Sequence, residues 1–223
     1  KRKELGGKYF TDIGEILKVC KIIILNLPES KDVKEVILSK HGLWKNISED
    51  TTIVDMSTIS PDVTVSISKK LKKLKAHLID APVSGGEIGA IKGNLSIMAG
   101  GEKNIFNKIK PMLGVLGKNI TYIGKSGSGQ IAKACNQILV AETMIAVSEI
   151  LLLAKKTKCD LKLIREALMG GFANSKILDL HGQRMIEGNY KPGFKAGLHL
   201  KDLNIAVELA KKAGLRLNNA LYA

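Results

Sequence analysis

From Gln130 to Lys156 the chain contains neither glycine nor proline, and its apolar residues recur at helical spacing. That reads as a single helix of about 27 residues, roughly 40 Å long. Such a helix is too long for the crossover of a small α/β unit, so it divides the chain. Before it, short β-rich runs at 21–26, 52–56, 77–80, 95–99 and 119–123 alternate with amphipathic stretches. Ser60, Pro61 and Asp62 carry a helix-start signature: a capping hydroxyl, a proline in the first turn and an acid on the positive end of the dipole. The run Ile22, Ile23, Ile24, Leu25 is apolar throughout, the pattern of a strand covered on both faces. Beyond the long helix only further helices are expected, at 161–169, 175–187 and 196–212. The expected fold is therefore α/β plus all-α, a doubly wound parallel-sheet domain at 1–125 followed by an all-helical domain at 126–223.

Charge is the next constraint. The 223 residues hold 35 Lys plus Arg against 21 Asp plus Glu, a formal charge of +14. A basic nucleic-acid-binding module is the reading this invites, yet only Arg2, Arg165, Arg184 and Arg216 are arginine. Base and phosphate readers favour the planar guanidinium, whereas lysine is the ordinary solvated cation. Lys69, Lys70, Lys72, Lys73 and Lys75 alternate with Leu71 and Leu74, which predicts one wet and one buried helix face. No partner nucleic acid is expected. No uninterrupted apolar run nears the roughly 18 residues of a membrane span, so no bilayer crossing is expected either. Cys20, Cys135 and Cys159 form no CxxC pair, and His41, His77, His181 and His199 show no metal-binding spacing. Neither a disulfide framework nor a metal site is predicted, and a reducing cytoplasm fits. Lys1 is not an initiator methionine, and the expectation is that these residues form the middle of a longer chain.

Three glycine-bearing segments compete as ligand loops. Gly127-Ser128-Gly129-Gln130-Ile131-Ala132 matches G-x-G-x-x-A between a strand and a helix. A dinucleotide fingerprint also needs a second strand presenting an acid, and here Glu149 lies in the same helix, so the match is rejected. Gly124-Lys125-Ser126 imitates the end of a P-loop, but Asn119 stands where the upstream glycine is required. The third candidate, Asp80-Ala81-Pro82-Val83-Ser84-Gly85-Gly86, leaves the carboxyl end of a strand, where such sheets bind ligands. Its glycines let backbone N–H groups approach an anion; equally, they satisfy a tight turn. Lys133, Asn136 and Gln137 then stand at i, i+3 and i+4, placing an ammonium and two amides on one helix face among apolar neighbours. A lysine so placed can donate a proton, or can simply extend its ammonium toward water.

Taken together, these stretches resemble the β-hydroxyacid dehydrogenase family, the 3-hydroxyisobutyrate dehydrogenase-like enzymes. The matching segments are Leu27-Pro28, DMSTISP at 55–61, DAPVSGG at 80–86, GNLSIMAGG at 93–101, GSGQIAKACNQ at 127–137, KPGF at 191–194 and LHLKDL at 198–203. Gln137 following Asn136 is similar to the tartronate semialdehyde reductase branch; the hydroxyisobutyrate branch usually has a second Asn there. The resemblance implies an incomplete Rossmann-type domain whose glycine-rich βα unit precedes Lys1, a helical domain that stops short of a final helix, and weak nucleotide binding by residues 1–223 alone. It implies NAD or NADP as cofactor, a carboxylate-bearing semialdehyde or β-hydroxyacid as substrate, and a homodimer or homotetramer. By the same resemblance Lys133 is the general acid. Ser84, Gly85, Gly86, Asn136 and Gln137 hold substrate, and Leu27, Pro28, Thr58, Phe194, Lys201 and Asp202 lie at the cofactor.

Overall fold

The computed structural model describes residues 6–191 and 193–222. Its internal contacts divide the chain into a unit at 1–133 and a unit at 134–223. Pro192 of the KPGF segment lies outside the described residues.

The first unit is built on a 6-stranded sheet. Its strands are β1 (Ile22–Leu25), β2 (Thr52–Asp55), β3 (His77–Asp80), β4 (Val83–Ser84), β5 (Leu95–Gly100) and β6 (Gly117–Gly124). Helix α1 (Ile13–Val19) precedes β1, and helices α2 (Ser30–Leu38), α3 (Pro61–Lys73), α4 (Gly86–Ile91) and α5 (Lys103–Leu116) lie between strands. β1, β2 and β3 are mutually parallel, with Ile23 beside Ile53 and Ile53 beside Leu78. β5 then runs antiparallel to β3 and to β4, and β6 runs parallel to β5. The sheet is thus mixed where an all-parallel one was expected. The cause lies between β4 and β5, where Gly85, the short helix α4 and the turn at Gly93 reverse the chain.

Alternation along β2 places Ile53 in a core with Val33, Ile37, Ile67, Leu71 and Leu78, and Val54 in a second core with Ile79, Ile97, Ile105, Phe106 and Leu113. β2 is buried at every position. β1 is not: it is the edge strand, and Ile22 and Ile24 are 42% and 46% exposed. The expectation of cover on both faces fails there because its second side has no described strand or helix against it. In α3 the buried residues are Pro61, Thr64, Ile67 and Leu71, while the lysines at 69, 70, 72 and 73 point to solvent. Ser60 occupies the N-cap position without making a side-chain cap bond; its backbone N–H goes instead to Ser30 Oγ.

Helix α6 (Ser128–Lys156) begins in the first unit and continues into the second. It is long and apolar enough to span a bilayer by length and composition, with a mean hydropathy of 1.8 over its best window. Length and composition alone are weak evidence for a span, since the core helix of a globular domain passes the same test. The helix nevertheless carries Lys133, Glu142 and Glu149, and its buried Gln130 and Gln137 bond to protein partners.

The second unit continues with α7 (Leu161–Met169), α8 (Gln183–Ile186), α9 (Ala196–Lys212) and α10 (Asn218–Tyr222). Asp160 caps α7 by accepting from the backbone of Lys162 and Leu163. Val147, Leu151 and Leu178 form its core with Ile150, Leu161, Leu168 and Ile177. The helix expected at 175–187 is interrupted by a π turn at Leu178–Gly182. Arg165 donates to the carbonyls of Leu178 and Asp179 and pairs with the Asp179 carboxylate at 2.6 Å, so those carbonyls have a side-chain donor where the helix ladder widens.

Candidate functional site

The loops leaving β1 and β2 at their carboxyl ends are stitched together. Leu27 N donates to Ser57 Oγ at 2.8 Å, and Ser57 N donates to Asp55 Oδ1 at 3.0 Å. Gln130, 1% exposed, clamps the same loop from α6. Its Nε2 donates to Ser57 O at 2.8 Å and its Oε1 accepts from Ile59 N at 3.1 Å. Thr58 therefore lies between two anchored residues, and Leu27 is tied to the same loop. Pro28, adjacent to Leu27, is exposed. These residues share the carboxyl edge of the parallel strands, the usual ligand-binding edge of an open α/β sheet.

Ser84 pairs with Ser96 across β4 and β5. Gly85 and Gly86 follow with φ of +137° and +61°, backbone angles that favour glycine. The turn alone accounts for both glycines, so their carboxylate-binding role rests on the family resemblance.

The GSGQ segment has a different occupant. Asp80, fully buried at the end of β3, accepts from Gly127 N at 2.9 Å through Oδ1 and from Gln130 N at 3.1 Å through Oδ2. The positive end of α6 thus holds a carboxylate from its own chain where a phosphate would otherwise sit. Burial pushes the Asp80 carboxyl above its ordinary pKa, and the backbone donors pull against that rise. The approach is close: a Cβ on Gly129 would fall onto Met98 O and lie 2.8 Å from Asp80 O.

Lys133 is 8% exposed on the second turn of α6. In the second unit, Asn136 Nδ2 donates to Gln137 Oε1 at 2.8 Å, and Gln137 Nε2 donates to Asp202 Oδ2 at 2.7 Å. Lys201 Nζ sits 3.0 Å from Asp202 Oδ1. Neighbours on a helix point about 100° apart, yet the long lysine stem folds back far enough to make this pair. His199 Nε2 lies 3.2 Å from Gln137 O, and the Phe194 ring meets the His199 ring edge-on at 6.1 Å. Among the described residues there is no cluster of three or more metal-ligating side chains.

Two family models cover the chain. Residues 1–124 match the NAD binding domain of 6-phosphogluconate dehydrogenase, and residues 127–222 match the NAD-binding domain of NADP-dependent 3-hydroxyisobutyrate dehydrogenase. The chain belongs to the 3-hydroxyisobutyrate dehydrogenase-like family of β-hydroxyacid dehydrogenases. It is 47% identical to 2-hydroxy-3-oxopropionate reductase of Escherichia coli, over 96% of this chain and 74% of that protein. It is 34% identical to the mitochondrial 3-hydroxyisobutyrate dehydrogenase of Rattus norvegicus, over 93% of this chain and 64% of that protein. Among solved structures, 3-hydroxyisobutyrate dehydrogenase of Mycobacterium tuberculosis superimposes with a TM-score of 0.86 at 25% identity, over 96% of this chain and 75% of that one. Members of this family are NAD(P)-dependent oxidoreductases, and this chain is one.

Sequence reasoning missed Gln130, Asp80, Ser57 and His199 as organising residues. Gln130 had a signal: a long polar side chain directly after Gly127-Ser128-Gly129 at a helix start, where the backbone comes close enough to a loop to be clamped. Asp55 and Ser57 had one as well, since an acid two residues before a serine at a strand end forms an Asx-type turn. His199 had none, because its partner is a backbone carbonyl 62 residues away.

Proposed function

We propose that this enzyme reduces 2-hydroxy-3-oxopropanoate (tartronate semialdehyde) to glycerate, using NADH or NADPH. The observation that carries the reading is the 47% identity to a reductase of that name. The buried Lys133, one helical turn before the half-buried Asn136, supports it chemically. When bound, the reduced nicotinamide supplies the hydride. Lys133 gives its proton to the aldehyde oxygen as negative charge develops there. Ser84, Gly85 and Gly86 hold the substrate carboxylate through hydroxyl and backbone N–H donors, and Asn136 and Gln137 orient the substrate. The clamped Leu27, Pro28 and Thr58 loops fit the cofactor, since they lie at the carboxyl edge of parallel strands and are held rigid by buried bonds. Lys201, Phe194 and Asp202 complete the cofactor side in this reading. Residues 1–125 act as the nucleotide domain and 126–223 as the helical domain. The three free thiols suit a reducing cytoplasm. Ile131, Leu139, Ile145, Leu152 and Leu153 expose apolar surface along α6, which supports a homodimer or homotetramer.

A second reading, 3-hydroxyisobutyrate dehydrogenase, is favoured by the description of the family model over 127–222. Initial rates of nicotinamide oxidation on 2-hydroxy-3-oxopropanoate and on 2-methyl-3-oxopropanoate decide between them. The proposal expects kcat/KM to favour the hydroxylated aldehyde by about tenfold or more, the worth of one buried polar contact. Preference for the methyl compound refutes it.

A further inference from the structure

The polar chain in the second unit has a direction, and that direction fixes what Asn136 can offer a ligand. Lys201 Nζ is a donor only, and it meets Asp202 Oδ1 at 3.0 Å. The other oxygen, Oδ2, faces Gln137 at 2.7 Å, so the nitrogen end of the Gln137 amide must turn toward it. Asp202 and Gln137 are 3% and 5% exposed, which leaves little water to replace either partner. Gln137 Oε1 therefore faces Asn136 and accepts from its Nδ2 at 2.8 Å. With one Nδ2 hydrogen so engaged, the Asn136 amide is fixed and its carbonyl oxygen is held as an acceptor for a ligand. Asn136 is half-buried, so that end can be reached.

We propose that Lys201, Asp202 and Gln137 form a positioning chain that locks the Asn136 amide with its oxygen presented, and that this acceptor selects semialdehydes bearing a hydroxyl at C2 over those bearing a methyl group. The inference rests on the reductase reading above. Asn136 touches the substrate directly; Gln137 orients the substrate through Asn136, and Asp202 acts through Gln137. The acceptor has nothing to receive from a methyl group, whereas a C2 hydroxyl donates to it directly. Gln137 has the reach for both bonds. An asparagine there is one methylene shorter and loses the Asp202 bond or the Asn136 bond, which frees the Asn136 amide to turn over.

The test uses the full-length enzyme with 2-hydroxy-3-oxopropanoate and 2-methyl-3-oxopropanoate, and reads the ratio of their kcat/KM values. Gln137→Asn and Asp202→Asn are each expected to cut that ratio roughly tenfold, the size of one hydrogen bond, mainly by raising KM for the hydroxylated aldehyde. A role in stability alone would lower both substrates together and leave the ratio where it was. Where either variant fails to fold, Asn136→Ala carries the test, since it deletes the acceptor at a half-buried position and must lower the ratio as well. An unchanged ratio in a folded variant, with the wild type active on the hydroxylated aldehyde, overturns this inference alone. A wild type that turns over neither aldehyde overturns the reductase reading itself. The side-chain amide NMR signals give a readout without turnover: those of Gln137 are expected to be protected from exchange in the wild type and exposed in Asp202→Asn, and equal exchange in both would break the chain.

Discussion

Replacing Gly129 by alanine is expected to loosen the junction between the sheet and α6. The new Cβ would fall onto Met98 O and lie 2.8 Å from Asp80 O and 2.9 Å from Asp80 Oδ2. Two of these atoms are backbone of paired strands, so neither can rotate away. Overpacking commonly costs about 1–3 kcal/mol, and here relief requires lifting the helix start off the sheet. That movement stretches the two backbone bonds to the Asp80 carboxylate, and a hydrogen bond to a charged group is worth about 1.5–3 kcal/mol. Weakening one of them brings the total to about 3–5 kcal/mol. For a chain of this size each kcal/mol lowers Tm by about 2–4 °C, so the melting midpoint should fall by roughly 10 °C. Gly114 on α5 supplies the control, since a Cβ there meets nothing within 4 Å. Gly114→Ala should leave Tm unchanged or raise it slightly, through helix propensity. Thermal unfolding followed by circular dichroism reads both. A Gly129→Ala protein melting within about 2 °C of wild type would refute the packing argument.

Lys133→Ala should lower kcat by about 100-fold or more with little change in Tm, as expected for loss of a positioned proton donor; steady-state kinetics with unchanged turnover would remove the acid role. Gln130→Leu deletes two buried bonds to the Thr58 loop. It should raise the Kd for the nicotinamide cofactor in titration calorimetry and cost about 2–4 kcal/mol in urea unfolding. Because burial raises the Asp80 pKa above its ordinary 3.8, the folded state keeps that proton longer than the unfolded chain does. Its contribution therefore declines as pH rises from about 3.8 through the raised value, and urea midpoints of Asp80→Asn should lack that decline. The same variant should be less stable throughout, since one carbonyl replaces two acceptors.

The strands and helices that were legible in the sequence are those set by local chemistry. Four apolar residues in a row gave β1, and His77 to Asp80 was bounded correctly at both ends by the turn residues around it. The stretch free of glycine and proline gave α6. What was not legible depends on neighbours remote in the chain. β4 is 2 residues long and has no periodicity to read. The antiparallel direction of β5 leaves no trace in its own residues, and an edge strand has the same composition as a central one until its neighbours are known. At the site, Lys133, Asn136 and Gln137 were grouped from helical spacing alone. The bond from Gln137 to Asp202 closes over 65 residues, and no spacing rule reaches that far.

The carboxylate at the head of α6 also bears on how glycine motifs are interpreted. A loop of this spacing creates an electropositive nest, and a nest is a demand for an anion from any source. Here the demand is met within the chain, at high effective concentration, by the last residue of the adjacent strand. A free phosphate competing for that nest would have to displace a tethered counter-ion, so the loop is self-inhibited as a nucleotide site while keeping the sequence of one. In this chain the acid that closes β3 is what commits the glycines at the head of α6 to internal docking.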